Sequence, residues 1–148
     1  MSRLIRKVLM TLAMLCALLP IRASDIPPDV ALRLEIRNVT VGQGQILVGV
    51  CLEHEFLRAN CAFQTAVPVT ANPQVVMVPA DSLPPGRYAV QVAYDKNVNG
   101  QLDRGALGIP SEPVGFSNGA VGRFGPPSFG QAAVRYAGAP LALTITVN

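Results

Sequence analysis

One histidine, His54, is all this sequence has. With Glu53 and Glu55 on either side, it reads as a solvated loop residue rather than a general base. Serine offers no better nucleophile, because Ser117 and Ser128 lie in a Gly- and Pro-rich stretch with no strand-turn-helix elbow around them. Lysine is nearly as scarce. Beyond residue 23 only Lys96 remains and the other cations are scattered, which argues against the clustered basic surface that nucleic acid requires. No apolar run is long enough to cross a bilayer, no internal repeat recurs, and no long amphipathic helical period appears after the first two dozen residues.

The N-terminus has the pattern of an export signal. Arg3, Arg6 and Lys7 form a basic start, Val8 to Leu19 is almost wholly apolar, and Pro20 breaks the run. Cleavage after Ala23 divides the chain into a signal peptide, 1–23, and a single domain, 24–148; an anchored N-terminus is the alternative. Four cations leave with the signal, so 12 Lys plus Arg fall to 8 against 9 Asp plus Glu and the mature charge becomes −1. The expected location is periplasmic or secreted, with no transmembrane segment after cleavage.

Cys16 lies inside the signal, which leaves the mature chain one pair, Cys51 and Cys61. In an oxidising compartment that pair is most simply a disulfide, stabilising by roughly 2.5 to 3 kcal/mol through loop-closure entropy. A zinc site on Cys51, His54 and Cys61 lacks an obvious fourth ligand.

Alternation with period two marks the strands. Leu32, Leu34 and Ile36 oppose Arg33, Glu35 and Arg37; after a turn at Gly42-Gln43-Gly44, Ile46, Val48, Val50 and Leu52 share the next face. The pair reads as a hairpin. A short helical turn at Glu55 to Arg58 and an irregular strand from Phe63 to Val69 follow, then a β-branched strand at Val75 to Val78. Leu83-Pro84-Pro85-Gly86 turns the chain into Arg87 to Tyr94, where Tyr88, Val90, Val92 and Tyr94 align. Two strands, Ala132 to Tyr136 and Leu141 to Val147, close the chain. The expectation is an all-β fold: an antiparallel β-sandwich of about seven strands, immunoglobulin-like or transthyretin-like.

Gly105 to Gln131 interrupts that pattern with one long Gly/Pro/Phe-rich loop lacking any periodicity. Its three phenylalanines, Phe116, Phe124 and Phe129, are expected to plug one end of the core; ligand contact is the other reading.

The run Asp95-Lys96-Asn97-Val98-Asn99-Gly100-Gln101-Leu102-Asp103 is the most chemically suggestive segment. Asp95, Asn97 and Asn99 match the first, third and fifth ligands of a calcium loop, Gly100 its turn, Gln101 its backbone carbonyl and Asp103 its ninth position. Ala106 stands where a closing bidentate Glu would be, so Glu112 would have to fold back as an additional ligand. Without an ion, the same residues would form Asx turns around the Asn99-Gly100 bend.

The ordered motifs Leu83-Pro84-Pro85-Gly86-Arg87-Tyr88, Asp95 to Gly100, Leu102-Asp103, Leu107-Gly108-Ile109-Pro110, Gly115-Phe116-Ser117-Asn118 and Phe124-Gly125-Pro126-Pro127-Ser128-Phe129 carry a resemblance. The chain, from about Leu32 to Val147, resembles the uncharacterised exported bacterial proteins of domain-of-unknown-function family 2141. The resemblance implies a bacterial periplasmic or secreted β-sandwich and no particular activity. A more distant similarity connects the Asp-x-Asn-x-Asn-Gly-x-x-Asp segment to calcium-binding immunoglobulin-like repeats of surface adhesins, which would place ligands at Asp95, Asn97, Asn99 and Asp103.

The functional expectation is a non-enzymatic binding module for an envelope or extracellular ligand, with calcium ordering the rim around Asp95 to Asp103. A carbohydrate-active periplasmic hydrolase is the alternative, and its acids would be Asp103 and Glu112 across a shared pocket. A structural accessory of an envelope complex would show an exposed apolar patch or an unpaired sheet edge.

Overall fold

Alternating apolar residues become strands here because two sheets stack and share one core. The computed structural model describes Arg22 and residues 25–148, so the signal segment 1–23 lies essentially outside the described residues. One sheet consists of β1 (Val30–Arg37), β4 (Gln74–Pro79) and β8 (Leu141–Thr146), in the order β4-β1-β8. The other holds β2 (Gln45–Cys51), β3 (Phe63–Pro68), β5 (Gly86–Asp95) and β6 (Val114–Phe116), in the order β3-β2-β5-β6. β7 (Ala133–Tyr136) also pairs with β5. Among the described residues no helix is long and apolar enough to cross a membrane.

The expected all-β sandwich is therefore present, with eight strands among the described residues. Leu32, Leu34 and Ile36 face Ile46, Val48 and Val50 across the core, joined by Tyr88, Val90, Val92 and Tyr94. The other face of β1, bearing Arg33, Glu35 and Arg37, points outward, and the hydrogen bond from Arg37 holds the Glu35 carboxyl below its ordinary range.

Several expectations need correction. β1 and β2 do not form a hairpin: β1 pairs with β4 and β8, whereas β2 pairs with β3 and β5. Both strands carry an apolar stripe destined for the same core, so stacking face to face buries both stripes. The 38–44 connection crosses between sheets, with Gly42 and Gly44 at φ 78° and 67°. The second correction is that β1 and β8 run parallel, with Leu32 opposite Leu141 and Arg37 opposite Thr146. Finally, Glu55 to Arg58 forms a hydrogen-bonded turn, not a helix, because Leu57 at φ 65° leaves the helical region.

The 105–131 excursion is not structureless. It contains β6, 3-10 turns at Ala106–Gly108 and Ser117–Gly119, and one helical turn, α1 (Phe129–Ala132), capped by Ser128. β6 and β7 are two pieces of one interrupted edge, since β6 pairs with Gln91 to Ala93 and β7 with Gly86 to Ala89. Ser117 fills the gap. Fully buried, its Oγ accepts the Val90 N–H at 2.9 Å and donates to the Ala132 carbonyl. β6 also crosses to the other sheet, exchanging backbone bonds of 3.1 and 3.0 Å between Val114 and Asn148. Gly115 permits that approach: a Cβ there would lie 2.5 Å from the Thr146 carbonyl oxygen.

A second, smaller core covers the outer face of β5. Cys51 and Cys61 form the expected disulfide, with Cα atoms 4.4 Å apart, which rules out the zinc reading at that pair. Phe56 stands edge-on to Phe116 and Phe129 at 5.8 and 6.0 Å. Phe124 does not join them; it is 98% exposed.

Ser117→Ala should cost about 1 to 3 kcal/mol, because it leaves the Val90 N–H buried without a partner. Urea denaturation of the variant against the parent chain measures this; an unchanged midpoint would mean the gap does not depend on the hydroxyl.

Candidate functional site: the polar loop at the end of β5

β5 ends in a carboxylate that has no solvent exposure. Asp95 points to the outer face, opposite Gln45 on β2, and Gln45 Nε2 donates to Asp95 Oδ2 at 2.8 Å. The turn that follows supplies the remaining donors. Gly100 N–H reaches Oδ2 at 2.8 Å, and Asn99 N–H reaches Oδ1 at 3.3 Å. Burial alone would raise the Asp95 carboxyl, but the bonds from Gln45, Gly100, Asn99 and Val98 outweigh it and hold the group below its ordinary value.

The side-chain amides close the loop on itself. Asn97 Oδ1 accepts Asn99 N–H at 3.1 Å and Asn99 Oδ1 accepts Gln101 N–H at 2.9 Å, two consecutive Asx turns. Their Nδ2 groups donate to the two oxygens of Asp103, at 2.6 and 2.9 Å. Val98 is held at φ 60° and Gly100 at φ 78°. A β-branched residue in that region is strained, and it persists because the surrounding bonds over-determine the turn.

Glu112 does fold back. Its carboxylate is largely buried, Oε1 accepting Lys96 N–H at 2.9 Å and Oε2 accepting Asp103 N–H at 3.1 Å. The structure thus brings Asp95, Asn97, Asn99, Asp103 and Glu112 into one network. Gln101 enters it only through its backbone N–H. Gln45 was absent from the sequence-based set because only strand pairing places it across from a residue 50 positions away.

Among the described residues no lysine or arginine pairs with these three carboxylates. The ion pairs among the described residues join Glu35 to Arg33 and Arg37, and Glu55 to His54; none involves Asp95, Asp103 or Glu112. Lys96 instead lies over the Tyr94 ring, at 5.5 Å. Among the described residues no group of three or more His, Cys, Asp or Glu side chains has the spacing of a preformed metal site. An ion would therefore draw on the amide and backbone oxygens as well as the acids.

Beyond Asp103 the chain projects a small tip. Arg104 bridges to Pro110, Gly105 N–H bonds the Ile109 carbonyl at 2.8 Å, and Arg104 Nη1 bonds the Gly108 carbonyl at 2.9 Å. Leu107, at the apex, is 95% exposed and Ile109 is 62% exposed. His54 is also in solvent, its Nε2 3.9 Å from Glu55 Oε1, in keeping with a loop residue.

These features define a class: a two-sheet β-domain whose central strand runs into a self-bonded acidic and amide turn. The chain belongs to the family described as uncharacterized protein conserved in bacteria (DUF2141), whose profile matches residues 34–143. No curated protein and no solved structure matches it.

Because the folded Asp95 carboxyl titrates below its ordinary value of 3.8, its contribution is full above that value and lost as pH falls through the folded value. Asp95→Asn should therefore destabilise by about 1 to 3 kcal/mol at neutral pH, since an amide NH2 meets N–H donors. That penalty should shrink below about pH 4. Urea denaturation at neutral pH and near pH 3 measures both; a penalty independent of pH would contradict an ionised Asp95.

Proposed function

We propose that this is an exported, non-enzymatic binding module in which calcium, held by the 95–103 turn and Glu112, fixes the tip carrying Leu107 and Ile109. The observation that carries the reading is one hydrogen-bonded network that contains three carboxylates, Asp95, Asp103 and Glu112, none of them paired with a lysine or arginine among the described residues. A divalent ion bound there would offset that uncompensated negative charge. The donor set is all oxygen: the three acids, the amide oxygens of Asn97 and Asn99, and the Gln101 carbonyl. That chemistry suits a hard cation rather than zinc or copper. Loop oxygens each have two lone pairs, so those already accepting one N–H keep capacity for a second partner.

Two further features support a module that acts outside the cytosol by contact. The Cys51–Cys61 disulfide fits an oxidising compartment, as does the N-terminal signal pattern. The almost fully exposed Leu107 offers an apolar contact point at the end of a bonded tip. The hydrolase alternative gains no support from the geometry. Asp103 and Glu112 line no shared pocket among the described residues, and the groove described below contains neither.

For a loop of extracellular affinity, about 10 mM calcium is roughly 10 to 100 times the dissociation constant and stabilises by about 1.4 to 2.7 kcal/mol. The melting temperature should rise by several degrees over a chelated sample. Asp103→Asn should abolish the rise. A melting temperature indifferent to both calcium and chelator would overturn the calcium reading.

A further inference from the structure

The opposite end of the same strand carries a charge problem of the opposite sign. Arg87 on β5 and Arg135 on β7 are direct cross-strand partners. Tyr88 and Tyr136 beside them belong to the main core, so both arginines project from the outer face. Directly opposed residues of an antiparallel pair have Cα atoms about 4.5 to 5.5 Å apart, and like charges so placed destabilise the sheet. Among the described residues neither guanidinium pairs with a carboxylate, and the arginine side chains that donate hydrogen bonds to protein acceptors are Arg37 and Arg104.

Both arginines are exposed, and they border an open surface groove of about 390 Å³ together with Pro85, Gly86, Tyr136 and Ala137. Its walls are stiff. Pro85 restricts the turn into β5, Tyr136 is buried, and the Arg87 guanidinium rests over the Phe129 ring at 5.7 Å. Phe129 is itself pinned by Phe56 within the second core. The 105–131 excursion thereby helps to position one of the two cations.

We propose that Arg87 and Arg135 form a binding site for a phosphate monoester. Two adjacent guanidiniums present two planar donor forks, and a tetrahedral dianion has both the charge and the oxygens to accept from each. A carboxylate would match one fork and leave the other cation uncompensated. The groove is large enough to take part of the group that bears the phosphate as well. This site is independent of the calcium reading. Arg87 and Asp95 lie eight residues apart on one extended strand, which separates them by roughly 27 Å.

The test titrates inorganic phosphate into the full chain at constant ionic strength, with chloride as the balancing anion, and reads heat and melting temperature. Phosphate should bind saturably and raise the melting temperature above the chloride control. Arg87→Gln or Arg135→Gln should each weaken phosphate binding by about tenfold or more. In phosphate-free, low-salt buffer Arg135→Gln should melt no lower than the parent chain, since it removes a repulsion; this separates loss of the site from loss of the fold.

A second arm distinguishes the source of the phosphate. Sedimentation with phosphatidylcholine vesicles containing phosphatidic acid, abolished by Arg135→Gln, assigns a lipid headgroup; binding of glycerol 3-phosphate without sedimentation assigns a soluble ligand. Either result supports the site. Equal behaviour in phosphate and chloride with no vesicle binding, or responses that survive both substitutions, would overturn it.

Discussion

A buried carboxylate at the end of the central strand is the constraint around which the outer face of this domain is arranged. Asp95 can remain ionised without solvent only because Gln45, Asn99 and Gly100 present N–H groups to it. Those donors cannot be supplied by a loose connection. The chain must turn back over the strand end, with Val98 and Gly100 in left-handed conformations, and the Asx turns of Asn97 and Asn99 hold it there. Asp103 and Glu112 then extend the same network to the tip, so one hydrogen-bond system ties β2, β5 and the long excursion together.

The position of that carboxylate follows from how β5 is used. Its Tyr88, Val90, Val92 and Tyr94 enter the main core, while Ala89 lies under the second core built on Phe56, the disulfide and α1. Buried on both faces for most of its length, the strand carries charge only at its ends, while Gln91 midway along the outer face bonds the backbone of Leu57 and Arg58. The outer-face residues at those ends are Arg87 and Asp95, one in a groove of paired arginines and the other in a nest of donors. Small residues on the outer face, Ala89 and Ala93 on β5 and Gly49 on β2, allow loops to settle on the sheet. Gly49, for example, sits beneath the disulfide, where a Cβ would lie 3.0 Å from Cys61 Sγ.

Strand identity was legible where apolar residues alternate with others along the chain, as in Leu32 to Ile36, whose other face meets solvent, or Tyr88 to Tyr94, whose other face carries Ala89, Gln91 and Ala93. Strand partnership was not. The 38–44 connection has the glycines of a hairpin but joins two sheets, because a period-two pattern says which face is buried and nothing about which strand lies beside it. β6 escaped notice for another reason: three residues centred on Gly115 are too few for a period, and the need for glycine there arises from the Thr146 backbone. At the polar loop, the spacing of Asp95, Asn97, Asn99 and Asp103 did mark side chains that meet. The contributions of Gln45 and the return of Glu112 depend on pairing and on the excursion's path, and local sequence records neither.

The ionised state of Asp95 is the feature on which the polar turn depends, and the proposed calcium site would act on it. Following the Asp95 side-chain carboxyl carbon by NMR through an acid titration, with and without calcium, tests both together. The account predicts a midpoint below 3.8 in the absence of calcium and a lower one in its presence, because a metal binds the deprotonated form. A midpoint at or above 3.8 that calcium leaves in place would contradict it.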